Sequence, residues 1–282
     1  MLSFTQLLDS STDQQEGRIG YPLDDCWMQG RAIYGGLSAA LCLDGARKLF
    51  PALPPLRSAS INFIGIASEK IWVEATVLRQ GKSVTYVSSR LISEQGIVCD
   101  AVLCFGAARV STLDANYGDK LYGDKTAIAG PDDAHSFYER DEKDGEKGDK
   151  KGVNTKKRPK FIQHFDTRVV KSEVPFSGSA DPGYELWVRH ADQNAKGIVA
   201  LVALADMPPP AVMPALTQPA PVSSMTWAFN ILTDEFSQQA DWWLLGSFAE
   251  HAKDGYSSQN MTIHDESGEL VVAGRQNVAV FS

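Results

Sequence analysis

Two adjacent glycines, Gly35 and Gly36, stand at the start of an apolar segment with helical spacing, residues 34–50. The first backbone N–H groups of a helix have no partner within it and lie at the positive end of the helix dipole, so they can bind an oxygen on which negative charge develops. Glycine leaves these groups unobstructed. The pair could equally serve only to let the helix pack closely against a sheet. Both interpretations stay open.

An aspartate and a glutamine in otherwise apolar segments are further candidates for chemistry. Asp206 lies at the end of the apolar run 197–207, where a carboxylate at a helix C-terminus is electrostatically unfavourable and needs a compensating reason. Gln276 lies in the apolar final segment, residues 270–281. Each has a structural alternative, since Asp206 could be only a polar residue before prolines 208–210 and Gln276 could face solvent by alternation.

Other catalytic chemistries have little support. The five histidines form neither an HExxH motif nor an i, i+4 pair, which argues against a metal site. The serines of segment 176–180 are not in a GxSxG elbow, and no GxGxxG or Walker-type loop occurs. The four cysteines include no CxxC pair. The sequence therefore predicts no metal and no cofactor.

Composition and charge limit the partners. The 282 residues are 43% hydrophobic and 22% charged, as in a globular protein, and a net charge of -8 gives no positive field to attract nucleic acid. No apolar run approaches the roughly 18 residues that span a bilayer, and the first residues do not resemble a signal peptide. We therefore expect no nucleic-acid partner, no membrane insertion and a cytoplasmic location.

The segments that must position the candidate residues repeat along the chain. In each half, one apolar helix precedes four strand-like runs, and glycine-containing turns separate the last three of them. Corresponding residues are offset by 165, 174 and 172 positions, which indicates a duplication. The predicted helices are 34–50 and 197–207, and the predicted strands are 58–66, 70–79, 83–93, 97–105, 223–232, 241–251, 257–264 and 270–281.

A charged window separates the two halves. Residues 139–160 contain one large apolar residue, Val153, and cannot bury enough surface to offset the entropy of ordering. We expect a mobile, solvated spacer there. The predicted organisation is a first unit over 1–112, a charged linker or loop over 113–160, and a second unit over 161–282.

The stretch 34–109 resembles the hotdog fold. In it, Arg-Ala-Ile-Tyr-Gly-Gly leads the first helix and Leu-Arg-Gln-Gly-Lys-Ser forms a strand, a turn and a strand. Two such units in one chain resemble the double-hotdog acyl-CoA thioesterases, specifically the acyl-CoA thioesterase II-like group. This resemblance implies an α+β fold with two tandem units, each a long central helix wrapped by an antiparallel β-sheet.

The resemblance also implies a set of site residues. The family uses an Asp, a Ser or Thr, and a Gln of the second hotdog to hold and polarise a hydrolytic water. The matching positions here are Asp206, Ser224 and Gln276. Thr226 is an alternative to Ser224, because residues two apart on a strand are expected to share a face. The choice between the two hydroxyls stays open.

By the same resemblance, the chain would hydrolyse an acyl-CoA to free acid and coenzyme A in lipid metabolism, with Gly36 helping to polarise the thioester carbonyl. A homodimer or higher homo-oligomer is expected, because hotdog sheets join edge to edge and a long free edge strand is a liability. The residues expected at the substrate are Tyr34, Gly35, Arg79 and Trp227, the last of which could also be core.

Two alternatives accompany this hypothesis. The prolines at 208–210 and the serine at 224, where many relatives have threonine, suggest a catalytically incompetent double-hotdog acyl-binding protein. A hotdog hydratase is weaker, because it would need a histidine near one of the two helices.

Overall fold

The structure, a computed structural model, describes residues 1–14, 17–67, 70–113, 115–137, 159–233 and 241–281. The spacer predicted over 139–160 lies outside these residues except for its last two. None of the helices in the described ranges combines the length and the hydropathy that crossing a bilayer requires. The α-helices are α1 (Phe4–Asp9), α2 (Gly35–Leu49), α3 (Gly118–Tyr122) and α4 (Gly197–Ala205).

The described strands fall into two groups on either side of α3. The first group is β1 (Thr12–Gln14), β2 (Arg18–Tyr21), β3 (Met28–Gln29), β4 (Ala32–Ile33), β5 (Leu56–Phe63), β6 (Ile71–Gln80), β7 (Val84–Ser93) and β8 (Gly96–Gly106). The second group is β9 (His135–Ser136), β10 (Phe165–Ser172), β11 (Gly183–His190), β12 (Val222–Ile231), β13 (Trp243–Lys253), β14 (Tyr256–His264) and β15 (Leu270–Val280).

Thirteen of these strands form one antiparallel sheet that runs through both units. Its order is β1-β2-β6-β7-β8-β5-β12-β15-β14-β13-β11-β10-β9, and the two units join where β5 pairs with β12. The edge strands are β1, with three residues, and β9, with two. Short edge strands limit unwanted pairing, and the expectation of a homo-oligomer stays a prediction.

The first predicted repeat is confirmed. Helix α2 and strands β5 to β8 match the predicted segments to within three residues. Residues 36–46 of α2 are all buried, because the sheet wraps this helix and its small residues allow close packing. A Cβ at Gly45 would lie 2.5 Å from Cγ1 of Val73 on β6. This close approach explains a glycine in the middle of the helix.

The second repeat is also confirmed, with a shorter helix. Helix α4 has nine residues and stops at Ala205, because proline at 208 cannot continue a helix and disfavours helical backbone before it. Strands β12 to β15 follow as predicted. The turn between β13 and β14 has positive φ at Asp254 and Gly255, 53° and 78°, as expected for a two-residue type I′ hairpin. Both units therefore present a central buried helix to one continuous sheet.

Candidate active site

The N-terminus of α2 meets the C-terminal turn of α4 in the centre of the protein. The hydroxyl of Tyr34, the residue before α2, donates to the carbonyl oxygen of Ala203 at 2.7 Å. A Cβ at Gly36 would lie 2.3 Å from that same oxygen. No side chain fits at this distance, so close packing is one confirmed reason for a glycine at position 36.

The carboxyl group of Asp206 lies at this junction. Its Oδ1 accepts a hydrogen bond from Nε2 of Gln276 at 2.5 Å, and the nearby backbone N–H of Gly36 interacts favourably with the carboxylate. A Cβ at Gly35 would lie 2.5 Å from Oδ2 of Asp206. The positive end of α2 therefore compensates the unfavourable position of a carboxylate at the C-terminus of α4.

Burial raises the pKa of Asp206 from its ordinary value of 3.8 to about 7. Loss of hydration is the largest cause, and the hydrogen bond from Gln276 and the backbone N–H of Gly36, which both favour the carboxylate, offset only part of it. The shift corresponds to about 4 kcal/mol against ionisation. Near neutral pH this group therefore binds and releases a proton readily, as a general base must.

A cavity of about 840 Å³ opens beside this junction. Of the candidate residues, Gly35, Asp206, Ser224 and Gln276 line it, and Asp206 is its only titratable residue among the described ones. Such a cavity fits an apolar group held next to a single carboxyl. Most of its wall is apolar, including Ile33, Phe63, Ile64, Phe161, Ile162, Phe176, Met207 and Met213.

A β-bulge separates the two candidate hydroxyls. Ser224 pairs with Val278 and Thr226 pairs with Asn277, so Met225 is the extra residue on β12. Because a bulge interrupts the alternation of faces, Ser224 lines the cavity while Thr226 is exposed and does not line it. The expectation that the two share a face is wrong, and the structure brings only Ser224 to the cavity.

Gly36 occupies a different place from the one predicted. It does not line the cavity, and its N–H interacts with the carboxylate of Asp206. A role for this N–H at a substrate carbonyl stays a prediction. Gly35 does line the cavity. It is the first residue of α2, where backbone N–H groups have no partner within the helix.

Three residues predicted at the substrate do not line the cavity. Tyr34 is buried, stacks on Phe161 at 4.0 Å between ring centroids, and holds α4 instead of a ligand. Trp227 is 1% exposed and packs on Phe229 at 4.5 Å, within the core. Arg79 is exposed near the end of β6. Their elements are the predicted ones, but which side chains reach the cavity depends on how distant segments pack together.

Sequence reasoning missed Gln259, on β14. This residue is 1% exposed, and its Nε2 donates to Oε1 of Gln276 at 3.0 Å. Residues 257–260 are all polar, so alternation of polarity gives no signal as to which of them points inward. Only the packing of the second unit identifies Gln259.

Two family models match the chain. The model of the acyl-CoA thioesterase N-terminal domain matches residues 23–106, and the model of the acyl-CoA thioesterase C-terminal domain matches residues 131–280. Together they leave only the two ends of the chain and residues 107–130 unmatched. No protein of curated function matches this sequence.

Solved structures share the fold at low sequence identity. A conserved protein of unknown function with a hot dog fold from Alicyclobacillus acidocaldarius is 18% identical, with 98% of this chain and 97% of that one covered and a TM-score of 0.81. A tesB protein from Mycobacterium avium subspecies paratuberculosis is 13% identical, with 98% and 97% covered and a TM-score of 0.73. The acyl-CoA thioesterase II TesB2 from Mycobacterium marinum is 16% identical, with 98% and 97% covered and a TM-score of 0.70.

Proposed function

Because this chain belongs to the acyl-CoA thioesterase family, with both an N-terminal and a C-terminal family domain, we propose that it hydrolyses an acyl-CoA thioester to a free acid and coenzyme A. The observation that carries the proposal is the carboxyl of Asp206. It lies in the wall of a largely apolar cavity and has a pKa of about 7. A water molecule beside it would have both a proton acceptor and a route to an acyl group in the cavity.

Direct attack by water is the step that this site supports best. The described cavity wall contains no histidine and no cysteine, which argues against a covalent intermediate formed on those side chains. Asp206 would accept a proton as the water oxygen bonds to the thioester carbon. The tetrahedral intermediate would then break its carbon–sulfur bond, and the proton held by Asp206 would pass to the leaving sulfur. An ordinary thiol has a pKa of about 8.5, so its thiolate is a stable leaving group and its departure does not require a strong acid.

Gln276 and Gly35 would have separate tasks in this mechanism. Gln276 holds Asp206 through its Nε2 and lines the cavity, so it orients the base with respect to the water. Gly35, at the N-terminus of α2, would direct its N–H at the carbonyl oxygen as negative charge develops. Each hotdog unit thus contributes one part of the site, the base from the second and the oxyanion donor from the first.

The direct test is turnover of a panel of acyl-CoAs from short to long chain, measured as free thiol. Release of thiol that is saturable in substrate supports the proposal, and the same measurements give the chain-length preference. A protein that binds acyl-CoA but releases no thiol from any member of the panel would contradict it. That outcome would favour the acyl-binding alternative.

The activity should follow the ionisation of Asp206. Because the base must be unprotonated, we expect kcat/KM to be constant well above pH 7 and to fall below it. In this acid limb, kcat/KM should decrease about tenfold for each pH unit. Measuring kcat/KM from pH 5.5 to 8.5, with the uncatalysed hydrolysis subtracted, tests this. A profile that is flat below pH 7 would mean that another group accepts the proton.

Substitution should distinguish the two hydroxyls. Ser224→Ala is expected to lower kcat by about tenfold, the scale of one neutral hydrogen bond to the attacking water. Thr226→Ala is the matched control two residues along the same strand, and it should stay within about twofold of wild type because its hydroxyl is on the other face. The reverse result would place the functional hydroxyl outside this cavity.

A further inference from the structure

A series of buried hydrogen bonds leads from the main chain to Asp206. The backbone N–H of Ala211 donates to Oε1 of Gln259 at 2.8 Å. Nε2 of Gln259 donates to Oε1 of Gln276 at 3.0 Å, and Nε2 of Gln276 donates to Oδ1 of Asp206 at 2.5 Å. Every donor in this series points the same way, toward the carboxyl group.

The direction of the series is determined at its far end. A backbone N–H can donate but cannot accept, so Gln259 must turn its carbonyl oxygen to Ala211 and its amino group to Gln276. Gln276 must in turn present its carbonyl oxygen to Gln259 and its amino group to Asp206. The second N–H of Gln259 donates to Oγ of Ser247 at 3.2 Å. The side-chain amide of Gln259 therefore has no alternative orientation that satisfies all three of its neighbours.

The main chain closes this series into a ring. Ala211 follows Asp206 by five residues, and prolines at 208–210 lie between them. Proline restricts φ to about −65°, so this connection is stiff and holds the N–H of Ala211 at a defined place relative to Asp206. These prolines, which the sequence analysis gave as a reason for a catalytically incompetent protein, also line the cavity. They support the donor at which the series begins.

Because the two glutamines are buried, the orientation of their side-chain amides affects the stability of the Asp206 carboxylate. Gln259 is 1% exposed and does not line the cavity, so no water is available to replace a hydrogen bond that it loses, and Gln276 is only 4% exposed. If Gln276 turned over, its carbonyl oxygen would face the carboxyl of Asp206. Two acceptors would then oppose each other, and the carboxylate would be destabilised relative to the protonated acid.

We propose that Gln259 is a positioning residue, which keeps the side-chain amide of Gln276 turned so that its N–H faces Asp206. Gln259 does not line the cavity, so it acts through Gln276 and not on the substrate. The inference rests on the proposed function, because it assigns a task in the same site. It predicts a specific change in the behaviour of Asp206 when the amide of Gln259 is removed.

The test is Gln259→Met, which keeps the length of the side chain and removes both polar atoms. We expect kcat to fall about tenfold, KM to stay within about twofold, and the acid limb of kcat/KM to move up by about one pH unit, because Asp206 loses the ordered donor. Among the described residues, the buried thiol of Cys99 also interacts with Asp206, and its pKa is raised well above its ordinary value, so it stays neutral over this range.

The matched control is Ser257→Ala. Ser257 lies on the same strand two residues before Gln259, is equally buried, and has a hydroxyl without a hydrogen-bond partner among the described residues. Its kcat and acid limb should match wild type. In a Gln276→Met background, Gln259→Met should have no further effect on the limb, since the group through which it acts is gone.

Other outcomes would overturn the inference. One is a folded Gln259→Met variant with wild-type kcat and acid limb. A second is a Gln259→Met variant with lower kcat and an unchanged acid limb. A third is an effect of Gln259→Met that adds fully to that of Gln276→Met. A merely structural role would give either of these last two patterns. Thermal unfolding of each variant establishes that the compared proteins are folded.

A measurement independent of turnover separates this inference from the proposed function. Carbon-13 NMR of the aspartate carboxyl carbons gives the titration of Asp206, assigned by its absence in Asp206→Ala. The titration should move up in Gln259→Met even if no acyl-CoA is hydrolysed. In the wild type, the Gln276 side-chain amide signals should shift with the Asp206 midpoint, and amide signals that do not respond would overturn the inference without any variant.

Discussion

Asp206→Ala is expected to lower kcat for acyl-CoA hydrolysis by at least about a hundredfold, the scale expected when a general base is lost. Asp206 is the only titratable residue among those described in the cavity wall, so no neighbouring group there can take over its proton. The measurement is the initial rate of thiol release at pH 8, where the wild-type carboxyl is mostly ionised, together with circular dichroism to compare the folds.

Asp9→Ala is the matched control for this variant. Asp9 also ends a helix, α1, but it is exposed and does not line the cavity. Its removal should leave kcat within about twofold of wild type. A folded Asp206→Ala protein that keeps more than about a tenth of wild-type kcat would exclude Asp206 as the base, since such a loss is below the range for general-base catalysis.

The second large effect is expected from Gly36→Ala. The new Cβ would lie 2.3 Å from the carbonyl oxygen of Ala203 and 2.5 Å from the hydroxyl of Tyr34, so α2 and α4 would have to move apart. Overpacking of this kind costs about 1–3 kcal/mol in the free energy of unfolding. The shift also displaces the end of α4 that carries Asp206, and a displacement of about 1 Å at a catalytic group costs about a hundredfold in rate.

Urea denaturation and kcat measured on the same preparation test both parts of this prediction. Gly130→Ala is the control, because Gly130 has an ordinary φ of -64° and open space around the position of a Cβ. It should change neither stability nor kcat measurably. Wild-type stability in Gly36→Ala would show that the two helix ends can separate freely, and the close junction would then lose its role in holding Asp206.

Local patterns predicted most of the secondary structure. The helices before the prolines, the strands between glycine turns and the duplication all depend on residues near one another in the chain, and α2, α4 and β5–β8 confirm them. The contact between Asp206 and Gln276 spans 70 residues and was predicted only through a family resemblance. Propensity and periodicity describe one element at a time, so they cannot give such a distance.

The sequence by itself determined the two buried helices, the positions of the strands along the chain and the position of a carboxyl at the end of the second helix. It did not determine the strand order, because β5 pairs with β8 and β12 with β15, instead of each pairing with the strand that follows it in the chain. Tertiary structure alone decided which neighbours that carboxyl has. The bulge at Met225 turned Thr226 away from the cavity, the junction of α2 and α4 brought the N–H of Gly36 near Asp206, and the packing of β14 against β15 brought Gln259 into contact with Gln276. These outcomes depend on atoms brought together from distant segments, because hydrogen bonding and the loss of hydration act over a few ångströms in space.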